Sequence, residues 1–130
     1  MTFALEIAAR TVWQEARGEP EEGQRAVAHV IVNRMHSRRW GNSLASVCLW
    51  DRQFSGWNSG DPNRIAACVL SDDSPVLIKF RDFISKAMSG EADPTGGATH
   101  YFNPKLADPP WAKDQPYKEI GNHRFLKNIK

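Results

Sequence analysis

Glu15 is the residue of this sequence best placed to act as a general acid. It lies near the C-terminal end of a segment whose apolar residues recur at helical spacing, and it falls at the edge of the apolar face. Partial burial disfavours a charged carboxylate, and a helix C-terminus repels an anion. Both effects raise the pKa toward neutrality, as a general acid requires. Position alone also allows a surface glutamate paired with Arg10 or Arg17.

Glu19 is the candidate for a second acid. It stands four residues after Glu15 and would share the same site only if the first helix continued beyond Gly18 and Pro20. That pair of residues predicts a turn instead, with Glu19 exposed near the start of the next helix.

A long segment from Trp40 to Gly60 is rich in aromatic, glycine, serine and asparagine residues. Aromatic faces stack on sugar rings, and side chains such as Gln53 and Ser55 hydrogen-bond to hydroxyl groups. The same aromatic residues would equally form a small satellite core under the loop. Those residues are Trp40, Trp50, Phe54 and Trp57.

A third cluster begins at Thr95 and continues through two glycines to Tyr101. Consecutive glycines let the backbone come close to a ligand. Strand alternation places Thr99 and Tyr101 on one face and His100 on the other. A tight turn that leads into an edge strand is the competing interpretation.

His100 and His123, together with Glu15, are the residues from which a zinc site of the metal-dependent amidase type would have to be built. No HExxH or CxxC spacing supports such a site, so we expect neither a metal nor a cofactor. We expect Cys48 and Cys68 to be two buried free thiols.

The elements that position these residues are mostly helices. Pro20 opens a second helix that runs to about His36 and is the most buried. Asp61-Pro62 and Ser74-Pro75 are N-cap signatures. The predicted elements are a first helix capped by Thr2 and ended by Gly18, the helix 20–36, helices at about 62–71 and 75–89, and strands at 98–102 and about 122–126. The predicted fold is α+β, mostly helical with a small antiparallel sheet.

Length and composition favour one compact domain over residues 1–130. Hydrophobic residues make up 41% and charged residues 25%, as in ordinary globular proteins. No apolar run is long enough for a membrane span. The net charge of +2 is too weak to indicate a nucleic-acid partner. We expect a monomer without membrane insertion.

Several segments, in order along nearly the whole chain, resemble the SleB/CwlJ-like cell-wall hydrolases, a family of spore-cortex-lytic enzymes and phage endolysins. The resemblance includes the Glu-Ala-Arg-Gly-Glu motif at 15–19 and the Asp-Pro-Thr-Gly-Gly motif at 93–97. The family often has tyrosine after the final phenylalanine, whereas here Leu126 follows Phe125. The matching segments are 9–19, 22–28, 32–34, 53–57, 93–101, Trp111 and 120–125.

The resemblance implies a lysozyme-like or lytic-transglycosylase-like domain that degrades peptidoglycan. It assigns catalysis to Glu15, in a lytic transglycosylase or muramidase that cuts between N-acetylmuramic acid and N-acetylglucosamine. An N-acetylmuramoyl-L-alanine amidase and a non-catalytic wall-binding module are the alternatives. The residues expected to bind the glycan strand are Gln53, Ser55, Trp57, Thr95, Thr99, Tyr101 and His123.

The N-terminus carries Glu6, Arg10 and Glu15 among its apolar residues, which is unlike a secretory signal peptide. Together with the resemblance, this predicts a minimal phage-type endolysin. Such an enzyme is made in the cytoplasm and released to the cell wall during host lysis.

Overall fold

The computed structural model describes residues 3–50, 54–58 and 60–130. Within these ranges five α-helices pack beside one small sheet, which confirms the predicted fold class. No helix in these ranges is long and apolar enough to cross a membrane. The helices are α1 (Phe3–Ala16), α2 (Glu21–Ser37), α3 (Leu44–Leu49), α4 (Pro62–Cys68) and α5 (Pro75–Met88), and the strands are β1 (His100–Phe102), β2 (Lys118–Ile120) and β3 (His123–Leu126).

Helix α2 forms the centre of the molecule, as its apolar run predicts. Val30 and Ile31 are completely buried, and α1 and α5 both pack against this helix. Arg38 ends it in the left-handed conformation, with its N–H donating to the carbonyl of Met35. The central helix therefore fixes the relative positions of α1 and α5.

The helix caps are partly as predicted. Asp61 accepts a hydrogen bond from the backbone N–H of Asn63 at 2.8 Å, and Pro62 is the first residue of α4. Pro75 likewise opens α5, although Ser74 makes no capping hydrogen bond through its side chain. The predicted N-cap Thr2 lies outside the described residues.

The sheet is antiparallel with the order β1-β3-β2. Tyr101 of β1 and Lys118 of β2 both pair with Phe125 of the central strand. Strands β1 and β3 confirm the prediction, whereas β2 was not predicted. Its sequence, Lys-Glu-Ile, lacks an alternating apolar pattern, and two of its three residues are exposed.

The cysteines are both free, but only Cys48 is buried. The expectation of burial is wrong for Cys68, which ends the short surface helix α4. Burial raises the pKa of the Cys48 thiol to about 12, so this group stays protonated.

Candidate active site

Glu15 and Tyr101 meet across the molecule. Glu15 is the penultimate residue of α1 and is partly buried. The phenolic hydroxyl of Tyr101, on β1, donates a hydrogen bond to Glu15 Oε1. These two candidate residues from distant parts of the chain therefore form one site.

The pKa of Glu15 is raised above its ordinary value. Burial is the largest cause, and the negative charge of Asp61 adds to it. The hydrogen bond from Tyr101 and the positive charge of Arg34 act in the opposite direction without cancelling the effect of burial. The environment thus favours a protonated carboxyl group, which is the form that donates a proton.

Tyr101 remains a hydrogen-bond donor because its own pKa is raised well above the ordinary value, by burial and then by the charge of Glu15. Its ring stacks on Phe125, with centroids 5.6 Å apart, and meets the edge-on ring of His123 at 5.0 Å. These contacts hold the phenol in one orientation toward Glu15. His123, predicted to bind substrate, is buried and supports this ring.

Arg34 is a site residue that our reasoning from the residues did not single out, although the resemblance included it in the Val-Asn-Arg segment. Its Nε donates to the carbonyl of Thr99 at 2.7 Å. Its guanidinium lies over the rings of Trp40 and Phe54, at 4.7 and 4.8 Å from their centroids. Burial lowers the pKa of Arg34. Trp40 and Phe54 are buried as well, so these two aromatic residues belong to the core.

Residues 54–58 pack on α1 close to Glu15. Trp57 Nε1 donates to Thr11 Oγ1 at 2.8 Å, and Thr11 lies one helical turn before Glu15. Gln14 Nε2 donates to the carbonyl of Gly56 at 3.3 Å, and a Cβ at Gly56 would overlap the Gln14 side chain. Trp57 is only partly buried and borders the site.

Two predicted substrate-binding residues belong to this segment or adjoin it. Gln53 and the side chain of Ser55 lie outside the described part of the chain. Their contacts with substrate remain predictions.

Thr95 belongs to a turn built around Asp93. The Thr95 hydroxyl donates to Asp93 Oδ1 at 2.7 Å and accepts from the N–H of Ala98 at 3.1 Å. Asp93 also accepts from the backbone N–H groups of Thr95 and Gly97 and from Asn33 of α2. The hydroxyl is therefore used within the turn, so its predicted contact with substrate lacks structural support.

Thr99 and His100 follow this turn. Thr99 Oγ1 and His100 Nδ1 are 2.9 Å apart and hydrogen-bonded. His100 packs between Trp40 and Trp111, away from the ring of His123. Burial, followed by the charges of Arg34 and Arg39, lowers the pKa of His100 to about 4, so it is neutral near pH 7.

The candidate zinc ligands do not converge. His100 and His123 belong to different ring clusters. Among residues 3–50, 54–58 and 60–130, no group of three or more His, Cys, Asp or Glu side chains is arranged to hold a metal ion.

Glu19 contacts the β2–β3 turn. Its two oxygens accept hydrogen bonds from the backbone N–H and the side-chain amide of Asn122, both at 2.9 Å, and His123 Nδ1 lies 3.6 Å from Oε1. The prediction of an exposed residue is wrong, because the turn covers the side chain and leaves it 10% exposed. The pKa of Glu19 is lowered overall. Burial raises it, but the hydrogen bonds from Asn122 and the charge of His123 together lower it by more. A second-acid role remains a prediction without structural support.

The alternative in which Glu15 pairs with Arg10 or Arg17 is wrong. Arg10 reaches Asp72 at 2.7 Å and also donates to two backbone carbonyls. Arg17 lies over the ring of Trp13 and donates to Asn63 at 2.8 Å. Both guanidinium groups are directed to other partners.

Comparison with known proteins gives a family and a set of relatives. Residues 18–126 match the model of the Cell Wall Hydrolase family, a range that begins just after Glu15. The chain is 36% identical over 128 residues to the spore cortex-lytic enzyme of Oceanobacillus iheyensis, covering 95% of this chain and 41% of that enzyme. The spore cortex-lytic enzyme of Bacillus subtilis is also 36% identical, and the chain spans 37% of its length.

A solved structure resembles the whole fold. The catalytic domain of the germination-specific lytic transglycosylase SleB from Bacillus anthracis has a TM-score of 0.75 and 34% sequence identity, covering 95% of this chain and 93% of that domain. The similarity confirms the expected fold class. The chain spans about two-fifths of the length of the curated spore cortex-lytic enzymes that it matches.

Proposed function

The chain belongs to the cell wall hydrolase family, and from this premise we propose that it cleaves the glycan strand of peptidoglycan between N-acetylmuramic acid and N-acetylglucosamine. The observation that carries the proposal is the partly buried Glu15, whose pKa is raised and whose Oε1 accepts a hydrogen bond from Tyr101. The names of the relatives, spore cortex-lytic enzyme and lytic transglycosylase, support this choice of reaction.

The proposed reaction is an intramolecular transglycosylation. Glu15 donates its proton to the glycosidic oxygen as the bond from C1 of the muramic acid to that oxygen breaks. The 6-hydroxyl of the same sugar then attacks C1, and its proton passes to Glu15. One C–O bond breaks and one forms, so the product carries a 1,6-anhydro ring and no water is consumed.

The neighbours of Glu15 serve both halves of this cycle. The raised pKa of Glu15 favours the protonated form, which is the form that donates a proton. When the proton has left, the Tyr101 hydroxyl and the Arg34 charge stabilise the carboxylate. The same carboxylate then acts as the base.

Hydrolysis is the alternative outcome, and it requires a second carboxylate. The two carboxyl groups are about 5–5.5 Å apart in retaining enzymes and about 6.5–9.5 Å apart in inverting enzymes. Both oxygens of Glu19 are engaged by Asn122. Asp61 is close enough for its charge to raise the pKa of Glu15, but it caps α4. Among the described residues, Asp61 is therefore the carboxylate to test for a hydrolytic mechanism, because its charge acts on Glu15.

The remaining features of the proposal follow from the sequence. Residues 1–130 act as one catalytic domain, as a monomer without a cofactor. Gln53, Ser55, Trp57 and Thr99 contact the sugar. Action as a phage-type endolysin released during host lysis is part of the proposal, although the relatives named above are spore cortex-lytic enzymes.

Mass spectrometry of muropeptides tests this proposal. The wild-type protein is expected to release fragments with 1,6-anhydromuramic ends. E15Q is expected to fold and to lose about 10²–10⁴-fold in rate, the usual contribution of positioned acid catalysis. D61N is expected to retain the anhydro product.

Other products would contradict the proposal in identifiable ways. Reducing ends that disappear in D61N would indicate hydrolysis through Asp61. Free stem peptides beside uncut glycan would indicate an amidase. Full activity in E15Q would exclude Glu15 as the acid.

A further inference from the structure

A second concave surface lies beside the sheet, and Glu15 is not among the residues that line it. It is a cavity of about 230 Å³, and we call it the lysine cleft. Three separate parts of the chain form it: the Asp93 turn, the segment that leads into β2, and the end of β3. Its lining residues are Thr95, Gly96, Pro116, Tyr117, Lys118, Phe125 and Lys127.

The lysine cleft has a mixed chemical character. Phe125 is buried and Tyr117 is 51% exposed, so aromatic surface forms part of the lining. Lys118 and Lys127 are exposed and carry the only formal charges among the described lining residues. Arg124 lies over the Tyr117 ring at 4.4 Å, but it precedes Phe125 on β3 and therefore projects from the opposite face of the sheet, where Glu119 is its cross-strand partner. The combination of aromatic surface and lysine charge in the lining suits a short chain that carries carboxylates.

The sheet connects the cleft to Glu15. Tyr101, Phe125 and Lys118 occupy matching positions on the three adjacent strands, so they form one row across a single face. The first member of the row donates its hydroxyl to Glu15. Neighbouring strands lie about 4.8 Å apart, which places the Lys118 backbone about 10 Å from that of Tyr101.

We propose that the lysine cleft binds the carboxylates of the stem peptide carried by the muramic acid at the cleavage site. This inference rests on the proposed function. A stem peptide branches from the sugar next to the scissile bond, and extended peptide spans about 3.3–3.6 Å per residue. Three residues of stem thus reach about 10 Å, the distance along the row from Tyr101 to Lys118.

Paired substrates test the cleft. Intact peptidoglycan strands carry stem peptides, whereas the same strands treated with an amidase do not. We expect K118Q/K127Q to lower kcat/KM about tenfold on intact strands and less than twofold on stripped strands. K105Q/K113Q removes the same charge from exposed lysines outside the cleft and is expected to change neither value more than twofold.

The pattern of losses decides the outcome. If K118Q/K127Q lost the same factor in kcat/KM on both substrates, the cleft would not bind the stem peptide, and the proposal would be overturned. If K105Q/K113Q lowered kcat/KM on intact strands as much as K118Q/K127Q does, the loss would reflect the overall charge of the protein. That result would also overturn the proposal.

A binding measurement separates this inference from the proposed reaction. The free tripeptide L-alanyl-γ-D-glutamyl-meso-diaminopimelate is titrated into wild-type protein and into K118Q/K127Q, with backbone amide NMR signals as the readout. Shifts at Gly96, Tyr117 and Lys118 that are lost in the variant support the cleft, and their absence in the wild type overturns it. A wild-type protein inactive on both kinds of strand would refute the proposed function. This titration would still show whether the lysine cleft binds the tripeptide.

Discussion

The pKa of Glu15 is set by opposing influences of its neighbours. Burial and the charge of Asp61 favour the protonated form, while Tyr101 and Arg34 favour the carboxylate. In the proposed reaction Glu15 first donates and then accepts a proton, and such a group needs both kinds of neighbour. Changing one neighbour should therefore shift the pH range of activity as well as the rate.

The Y101F variant tests the influence of Tyr101 on the pKa of Glu15. Phenylalanine keeps the ring contacts with Phe125 and His123 but loses the hydrogen bond to Glu15. Because that bond lowers the pKa of Glu15, its loss raises this pKa further, and the alkaline limb of the pH–rate profile should move to higher pH. We expect the maximum rate to fall about tenfold, the usual order for a hydrogen bond to a charged group. An unchanged profile in Y101F would remove Tyr101 from the mechanism.

E15Q should also change stability, with a sign that depends on pH. The pKa of Glu15 is raised in the folded protein, so the folded state binds its proton more tightly than the unfolded chain does. The stabilisation is complete below the unfolded pKa and is lost as pH rises through the folded pKa. Glutamine does not ionise, so E15Q does not lose stability in this way as the pH rises. Its stability should equal that of the wild type near pH 4 and exceed it near pH 7. Thermal unfolding at several pH values measures the difference, and a variant less stable at pH 7 would contradict the assigned pKa shift.

Among the elements, the α1–α2 turn and the β2–β3 turn depend on each other. Glu19, from the first turn, accepts two hydrogen bonds from Asn122 in the second. Gly121 makes this approach possible, since its φ is +59° and a Cβ there would lie 2.7 Å from Glu19 Oε1. His123 follows directly and packs on Tyr101, so the contact between turns also positions the site.

G121A should destabilise the protein by about 2 kcal/mol, because it combines a strained positive φ with loss of the Glu19–Asn122 hydrogen bonds. G96A is the matched control, with a φ of +69° and no atom within 4 Å of the added Cβ. We expect the control to cost about 1 kcal/mol from the backbone alone. Urea denaturation gives both values, and equal losses would show that the contact between turns contributes nothing.

The elements also show what the sequence could predict. The apolar stripes and the Pro62 and Pro75 positions predict helices, because these signals are local. The first helix ends at Ala16 rather than Gly18, and β2 was missed, because its pairing partner rather than its own sequence makes it a strand. The contacts of Arg34 with Thr99 and of Glu19 with Asn122 join residues distant in sequence, so no local pattern indicates them.

At the scale of the whole molecule, the site is assembled from separate parts of the chain. The end of α1 supplies Glu15, β1 supplies Tyr101, and the packed segment 54–58 supplies Trp57. Helix α2 contributes Arg34 and holds the Asp93 turn through Asn33. Because the parts meet only in the folded chain, activity should depend on the intact domain rather than on any one motif.

The whole arrangement also predicts that activity survives chelation. The described residues contain no group of three or more His, Cys, Asp or Glu side chains arranged to hold a metal, and the two histidines that a zinc site would need have other contacts. His100 is hydrogen-bonded to Thr99, and His123 lies between the Tyr101 ring and Glu19. Wall-lysis assays with EDTA should therefore give the untreated rate, while a zinc-dependent amidase tested in parallel loses activity. Inactivation by EDTA that added zinc reverses would contradict catalysis by Glu15 alone and would favour the amidase alternative.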